Sequence, residues 1–180
     1  MVNAELKPVA TPLRLDFGCG KNVRQGFEGV DCRDFGQKHT TDLRQVWPWE
    51  DNSVEEAHSS HFIEHLTAPE RIHFVNELYR VLVPGGKCQI IVPMWSSCRA
   101  YGDLTHQWPP VSEFWFYYLD KGWREQNAPH NDGYTCDFVS TWGYSLHGAI
   151  VTRNTEYQQH ALQFWKEAAQ DLMATLQARK

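Results

Sequence analysis

The run Leu13-Arg14-Leu15-Asp16-Phe17, broken at once by Gly18-Cys19-Gly20, narrows the choice of fold more than any other part of this chain. It has strand character and ends in a glycine turn, where the backbone can approach a ligand closely. A second strand-type run, Phe27 to Val30, ends at Asp31. Val54 to His58 reads as a further strand. From about Ala68 to Leu82, the residues Ile72, Val75, Leu78, Tyr79 and Leu82 fall on one helical stripe. Thr67 and Glu70 have capping-box spacing, and Pro84-Gly85-Gly86 is a stop. Cys88 to Val92 then has the pattern of a buried strand, ended by Pro93. This alternation predicts an α/β domain with a mainly parallel sheet.

The chain has 180 residues, enough for a single domain with a sizeable core. Its net charge of −5 argues against a general polyanion binder, and no strong nucleic-acid signal is present. No apolar run reaches the roughly 18–20 residues of a membrane span, and residues 1–12 lack an apolar signal core. Five scattered cysteines suit a reducing, cytoplasmic setting better than a disulfide framework.

In a parallel sheet, ligands bind at the carboxyl ends of the strands. Gly18 to Gly20 lies at one such end, and Asp31, at the next, can accept hydrogen bonds from two ribose hydroxyls. A dinucleotide site wants Gly-x-Gly-x-x-Gly, but position 23 is Val. The connection from Gly18 to Gly26 is also short for a helical crossover, which usually takes about a dozen residues. It leaves little helix to hold a pyrophosphate. A cofactor without phosphates fits better. S-adenosylmethionine has cationic groups that suit Asp16 and a ribose that suits Asp31.

The stretches LDFGCG (15–20), GVD (29–31), TDL (41–43), EDNSVEEAHSSHFIEHL (50–66) and ELYRVLVPGGKCQIIVP (77–93) follow one another in the order of a known family. In these the chain resembles the class I S-adenosylmethionine-dependent methyltransferases, specifically the small type 11 group. The resemblance implies a Rossmann-like sheet flanked by helices, and S-adenosyl-L-methionine as cofactor. It places Asp16, Gly18, Cys19 and Gly20 along the methionine end, Asp31 at the ribose and Cys32 against the adenine. Asp42 would meet the adenine amino group, the backbone of Leu43 a ring nitrogen, and His61 the methionine end. The connector after Gly20 departs from the family, so its first helix is expected to shrink to a turn.

His58, His61 and His65 lie near Glu64 in sequence. Imidazole and carboxylate are metal-ligand types, yet the expected role is a hydrogen-bonded structural one, with a catalytic base as the rival and no metal. Candidates for removing a proton from an acceptor are His61, His65, Tyr101, Asp103 and His106. Aromatic residues crowd the region 94–146, including Trp95, Tyr101, Trp108, Phe114 to Tyr118, Trp123 and Tyr134. This insert after the fifth strand is read as the acceptor and lid region. Its part from about Ser96 to Tyr134 is expected over the carboxyl ends of the strands. Residues 135–146 read as a late strand. Thr155 to Arg179 reads as one long C-terminal helix with Tyr157, Ala161, Trp165, Ala168, Leu172 and Leu176 on its buried face. The leading expectation is a methyltransferase acting on an unidentified small-molecule or modified-polymer acceptor. The rival is a non-catalytic S-adenosylmethionine-binding sensor or partner subunit. The aromatic surface leaves homodimer formation open.

Overall fold

The computed structural model describes residues 13–180. Seven strands form one sheet in the order β3-β2-β1-β4-β5-β7-β6. They are β1 (Leu13–Phe17), β2 (Glu28–Asp31), β3 (His39–Thr40), β4 (Val54–Ser60), β5 (Leu82–Pro93), β6 (Phe138–Leu146) and β7 (Ala169–Ala178). The first five run parallel, whereas β7 is antiparallel to both β5 and β6. The connector between β1 and β2 is a run of turns with no helix, as its length predicts.

Helix α1 (Ala68–Val81) begins at Thr67, whose backbone N–H and hydroxyl both donate to Glu70 Oε2. Its buried residues are Arg71, Phe74, Val75, Leu78 and Val81. The stripe is therefore rotated slightly from the sequence reading, which had Ile72 and Tyr79 on it. Phe74 packs edge-on against Phe17 and Trp47.

Strand register sorts the sheet into two unlike faces. Leu15 and Phe17 lie on the face of Ala57, Ser59, Cys88, Ile90, Leu176, Ala174 and Trp142. This is the core face, and Leu15, Phe17, Cys88, Ile90 and Leu176 are fully buried. The alternate residues are mostly polar, Arg14, Asp16, Glu56, His58, Lys87, Gln89, Thr175 and Gln177, with Ile91 and Met173 near the carboxyl end of β5. Parallel sheets are usually covered on both sides. Here the crossover from β1 to β2 is too short to lay a helix on the second face, so that face keeps a polar alternation.

The expected long C-terminal helix is corrected. After the short helix α5 (Gly148–Val151), helix α6 (Thr155–Phe164) stops early, Glu167 takes a positive φ of 60°, and the chain returns as β7. Leu172 and Leu176 are four apart, which reads as helical. In the structure Leu172, Ala174, Leu176 and Ala178 are buried in alternation, with period two. Pairing with strands on both sides outweighs the helix preference of Ala, Leu, Met and Gln. β6 and β7 thus form the antiparallel end of the sheet, and residues 138–146 are sheet rather than lid.

The placement of the aromatic insert is also corrected in part. Short helix α2 (Arg99–Gly102) follows β5 at the carboxyl end. Helices α3 (Glu113–Tyr117) and α4 (Lys121–Asn127) instead descend along the core face. Phe116 stacks on Trp142 in mid-sheet, and Leu119 O accepts from Phe138 N where β6 begins. Asp120 and Asp137 share Arg179 at the opposite end of the sheet from Pro93. Trp115, whose indole N–H donates to the Tyr134 hydroxyl, packs against the core. Apolar aromatics are drawn to the largest unhelixed apolar surface within reach, here the outer part of the core face.

Candidate functional site

Gly18 carries a φ of 68°, and its N–H, like that of Cys19, donates to Val30 O. A side chain at Gly18 would collide with the Phe62 ring, because a Cβ there would lie 2.3 Å from Cγ. The glycine turn is thereby wedged between β2 and the segment after β4. Gly20 N donates to Asp31 Oδ2 at 2.9 Å, and Arg33 N to Asp31 Oδ1 at 3.0 Å. These bonds fix the carboxylate and leave further lone pairs on both oxygens.

Asp31, Cys32, Asp42 and Leu43 line one cavity of ≈260 Å³ at the ends of β2 and β3. Four of the residues expected at a nucleoside are thus brought together. Sequence reasoning missed Phe62 and Leu66 and had His65 only as a proton-transfer candidate; these three line the wall with Arg33, Thr41 and Arg44. The Asp42 carboxylate receives Nε and Nη2 of Arg44, both at 2.9 Å, and this holds its pKa below the usual value.

The other expected residues stand around this cavity. Asp16 is buried, with His58 Nδ1 donating to Oδ1 at 2.7 Å and Arg24 N to Oδ2 at 2.7 Å. Both oxygens are turned to the connector and β4. The Cys19 thiol is pushed up to about 11, first by burial and then by the charges of Asp16 and Asp31. It forms a wall of the turn.

His61 follows β4 with a φ of 52°, its N–H held by Ile91 O. Its Nδ1 meets Glu64 Oε1 at 3.2 Å, and its Nε2 lies 3.8 Å from Asp171 Oδ1. The Glu64 hydrogen bond raises the His61 pKa against the opposing effect of burial, with Glu64 and Asp171 charges adding. Asp171 also receives Arg99 Nη1 at 2.9 Å. Just beyond Arg99 opens a larger cavity of ≈590 Å³, walled by Trp95, Cys98, Tyr101, Leu162, Phe164 and Trp165 among others. Tyr101 is therefore the one proton-transfer candidate that faces this space. Asp103, His106 and His65 meet instead in the turn beyond α2, through Thr105.

Arg71 was invisible as a site residue. It is 5% exposed and donates to the carbonyls of Ile63, Leu66 and Glu64 on one side and Gln107 and Pro109 on the other. Burial lowers its pKa. It clamps the turn after α2 to the 3-10 turn Ile63–His65. Only its place on the buried stripe of α1 could have flagged it.

A seven-strand sheet in this order, closed by an antiparallel strand and flanked by helices, matches Rossmann-like methyltransferase folds. Residues 21–90 match the sequence model of a methyltransferase domain family, Methyltransf_11. The fold is similar to that of an S-adenosylmethionine-dependent methyltransferase from Archaeoglobus fulgidus, at 15% identity and a TM-score of 0.66, over 93% of this chain and 86% of that one. It is also similar to geranyl diphosphate C-methyltransferase from Streptomyces coelicolor A3(2), solved with Mg2+, geranyl diphosphate and S-adenosyl-L-homocysteine. That likeness has 14% identity and a TM-score of 0.56, over 94% of this chain and 74% of that one. No curated protein matches the sequence. The resemblance read from residues 15–93 is thus borne out in domain type and fold. No helix among the described residues is long and apolar enough to cross a membrane.

Proposed function

We propose that the protein transfers a methyl group from S-adenosylmethionine to an acceptor with a bulky apolar or aromatic portion. The observation that carries this is the ≈260 Å³ cavity, in which Asp31, Cys32, Asp42 and Leu43 meet at the strand ends. Its acceptor set suits a nucleoside: a fixed carboxylate for paired hydroxyls, an acidic group for an amino group, and apolar walls for a ring. The connector from Gly18 to Gly26 holds no helix that could receive a pyrophosphate, which disfavours a dinucleotide.

When bound, the cofactor supplies a methyl group already activated on a sulfonium. The chain then has three tasks. Asp31 holds the ribose, with Asp42, the Leu43 backbone and Cys32 around the adenine. Gly18, Cys19, Gly20 and His61 border the methionine end, while Asp16 acts behind them by anchoring the connector through Arg24 N. The ≈590 Å³ cavity beside α2 takes the acceptor, and Trp95, Tyr101, Phe164 and Trp165 exclude water around it. Where the acceptor must lose a proton, Tyr101 faces the cavity directly. His61 neighbours it through Asp171 and Arg99.

The test is turnover. Incubation with methyl-labelled S-adenosylmethionine and a library of ring-bearing and prenyl-type acceptors should release S-adenosylhomocysteine with at least one of them. With that acceptor, Trp165→Ala should reduce kcat/KM about tenfold, the effect of losing about 1.4 kcal/mol of apolar contact. Tight cofactor binding without turnover on any acceptor would favour a sensor or partner subunit instead.

A further inference from the structure

We infer that Glu64, His65 and His106 form a binding site for a single divalent cation of the zinc class. One donor atom from each of the three residues lies within 4.8 Å of the others. His106 is far from the other two in sequence, and the turn beyond α2 brings it to them, with the two imidazole rings 4.8 Å apart.

The hydrogen bonds around the rings determine which nitrogens are open. Thr105 Oγ1 lies 2.7 Å from Asp103 Oδ1, and a carboxylate only accepts, so the single hydroxyl proton goes there. The Thr105 oxygen must then accept at 2.9 Å from His65 Nδ1–H. His106 Nδ1 lies 3.1 Å from Ala100 O, which also only accepts, so this nitrogen too carries the proton. In each ring Nε2 is thereby the nitrogen open to a ligand. This is the arrangement that orients metal-ligating histidines, with the far N–H on a carbonyl or on a relay to a carboxylate.

A second observation is independent of the rings. Glu64 is 4% exposed, and its Oε2 is buried with no hydrogen-bond partner, while Oε1 is met by His61. An unpaired carboxylate oxygen at this depth is costly. Arg71 does not relieve it, because the guanidinium donors go to backbone carbonyls. The inferred site takes this oxygen as the Glu64 ligand atom, and a cation bound there would satisfy it.

The site is also held in place before anything binds. Gln107 N donates to Glu64 O at 2.8 Å, and Arg71 ties the same two segments together. Two imidazoles and one carboxylate suit zinc, cobalt(II) or manganese and leave a coordination position for a water or an acceptor oxygen. His65 also lines the proposed nucleoside cavity, and His106 lies in the turn above it. The inference does not depend on the methyltransferase reading, because its test measures binding.

The experiment is titration of the untagged full chain with Co2+, followed by visible absorption and equilibrium dialysis. About one equivalent should bind with a ligand-field spectrum, and excess Zn2+ should displace it. His106→Ala should abolish the spectrum. Thr105→Val, which removes only the orienting contact to His65, should weaken affinity about tenfold or more. His73→Ala, on α1 away from the cluster, should leave binding unchanged. Both Thr105 and His106 lie on a surface turn, and circular dichroism checks that their variants fold. No saturable binding by the wild type would overturn the site, as would binding kept by both His65→Ala and His106→Ala.

Discussion

Arg71→Ala should lower the stability of the fold by about 3–5 kcal/mol, the range reached when several buried acceptors lose one shared donor. Five carbonyl groups depend on this guanidinium, two of them in the turn that carries His106. Denaturant unfolding measures the loss. Hydrogen exchange should show where it falls, with faster exchange in residues 103–110 than in β1 or β5. Arg71→Lys should recover little, because an ammonium cannot reproduce the planar fork. A loss under about 1 kcal/mol with unchanged exchange in that turn would show that the clamp is not what holds it.

Gly18→Ala should be nearly as damaging, for a different reason. The position combines a φ of 68° with a Cβ placed 2.3 Å from the Phe62 ring. The left-handed backbone costs an L-residue about 1–2 kcal/mol, and overpacking adds about 1–3 kcal/mol. The two parts separate in a double-mutant cycle. In a Phe62→Ala background, the steric part should vanish and the backbone part remain. Equal costs in both backgrounds would mean that Phe62 yields freely to the new methyl group.

The first half of the fold was legible because its signals are local. Leu13–Phe17, the glycine turn, Asp31 and the capped helix after Thr67 each announce themselves within a few residues. Asp31 ends a strand that the sequence marks, whereas Asp42 was placed by the family resemblance alone, because the two-residue strand before it, His39–Thr40, leaves no pattern to read. The C-terminal half was not legible for a physical reason. Leu172 and Leu176 fit a helix stripe and a strand face equally well, and only pairing with β5 and β6 decides between them. The aromatic insert was misplaced because sequence shows that Phe116 and Trp115 want burial, without showing which surface lies bare. Arg71 and the meeting of His65 with His106 depend on chain segments far apart in sequence, which no spacing rule reaches.

The central claim is that the cavity at the carboxyl ends of β2 and β3 receives the nucleoside of S-adenosylmethionine, and calorimetric titration tests it most directly. S-adenosylhomocysteine should bind the wild type with one site per chain, and NAD should give no heat of binding. Asp31→Ala should weaken S-adenosylhomocysteine by about 1–3 kcal/mol, the scale of losing hydrogen bonds to a charged group, and thermal unfolding of the free variant measures separately the loss of the Gly20 and Arg33 contacts. Unchanged affinity in Asp31→Ala, or binding of NAD in preference to S-adenosylhomocysteine, would contradict the account.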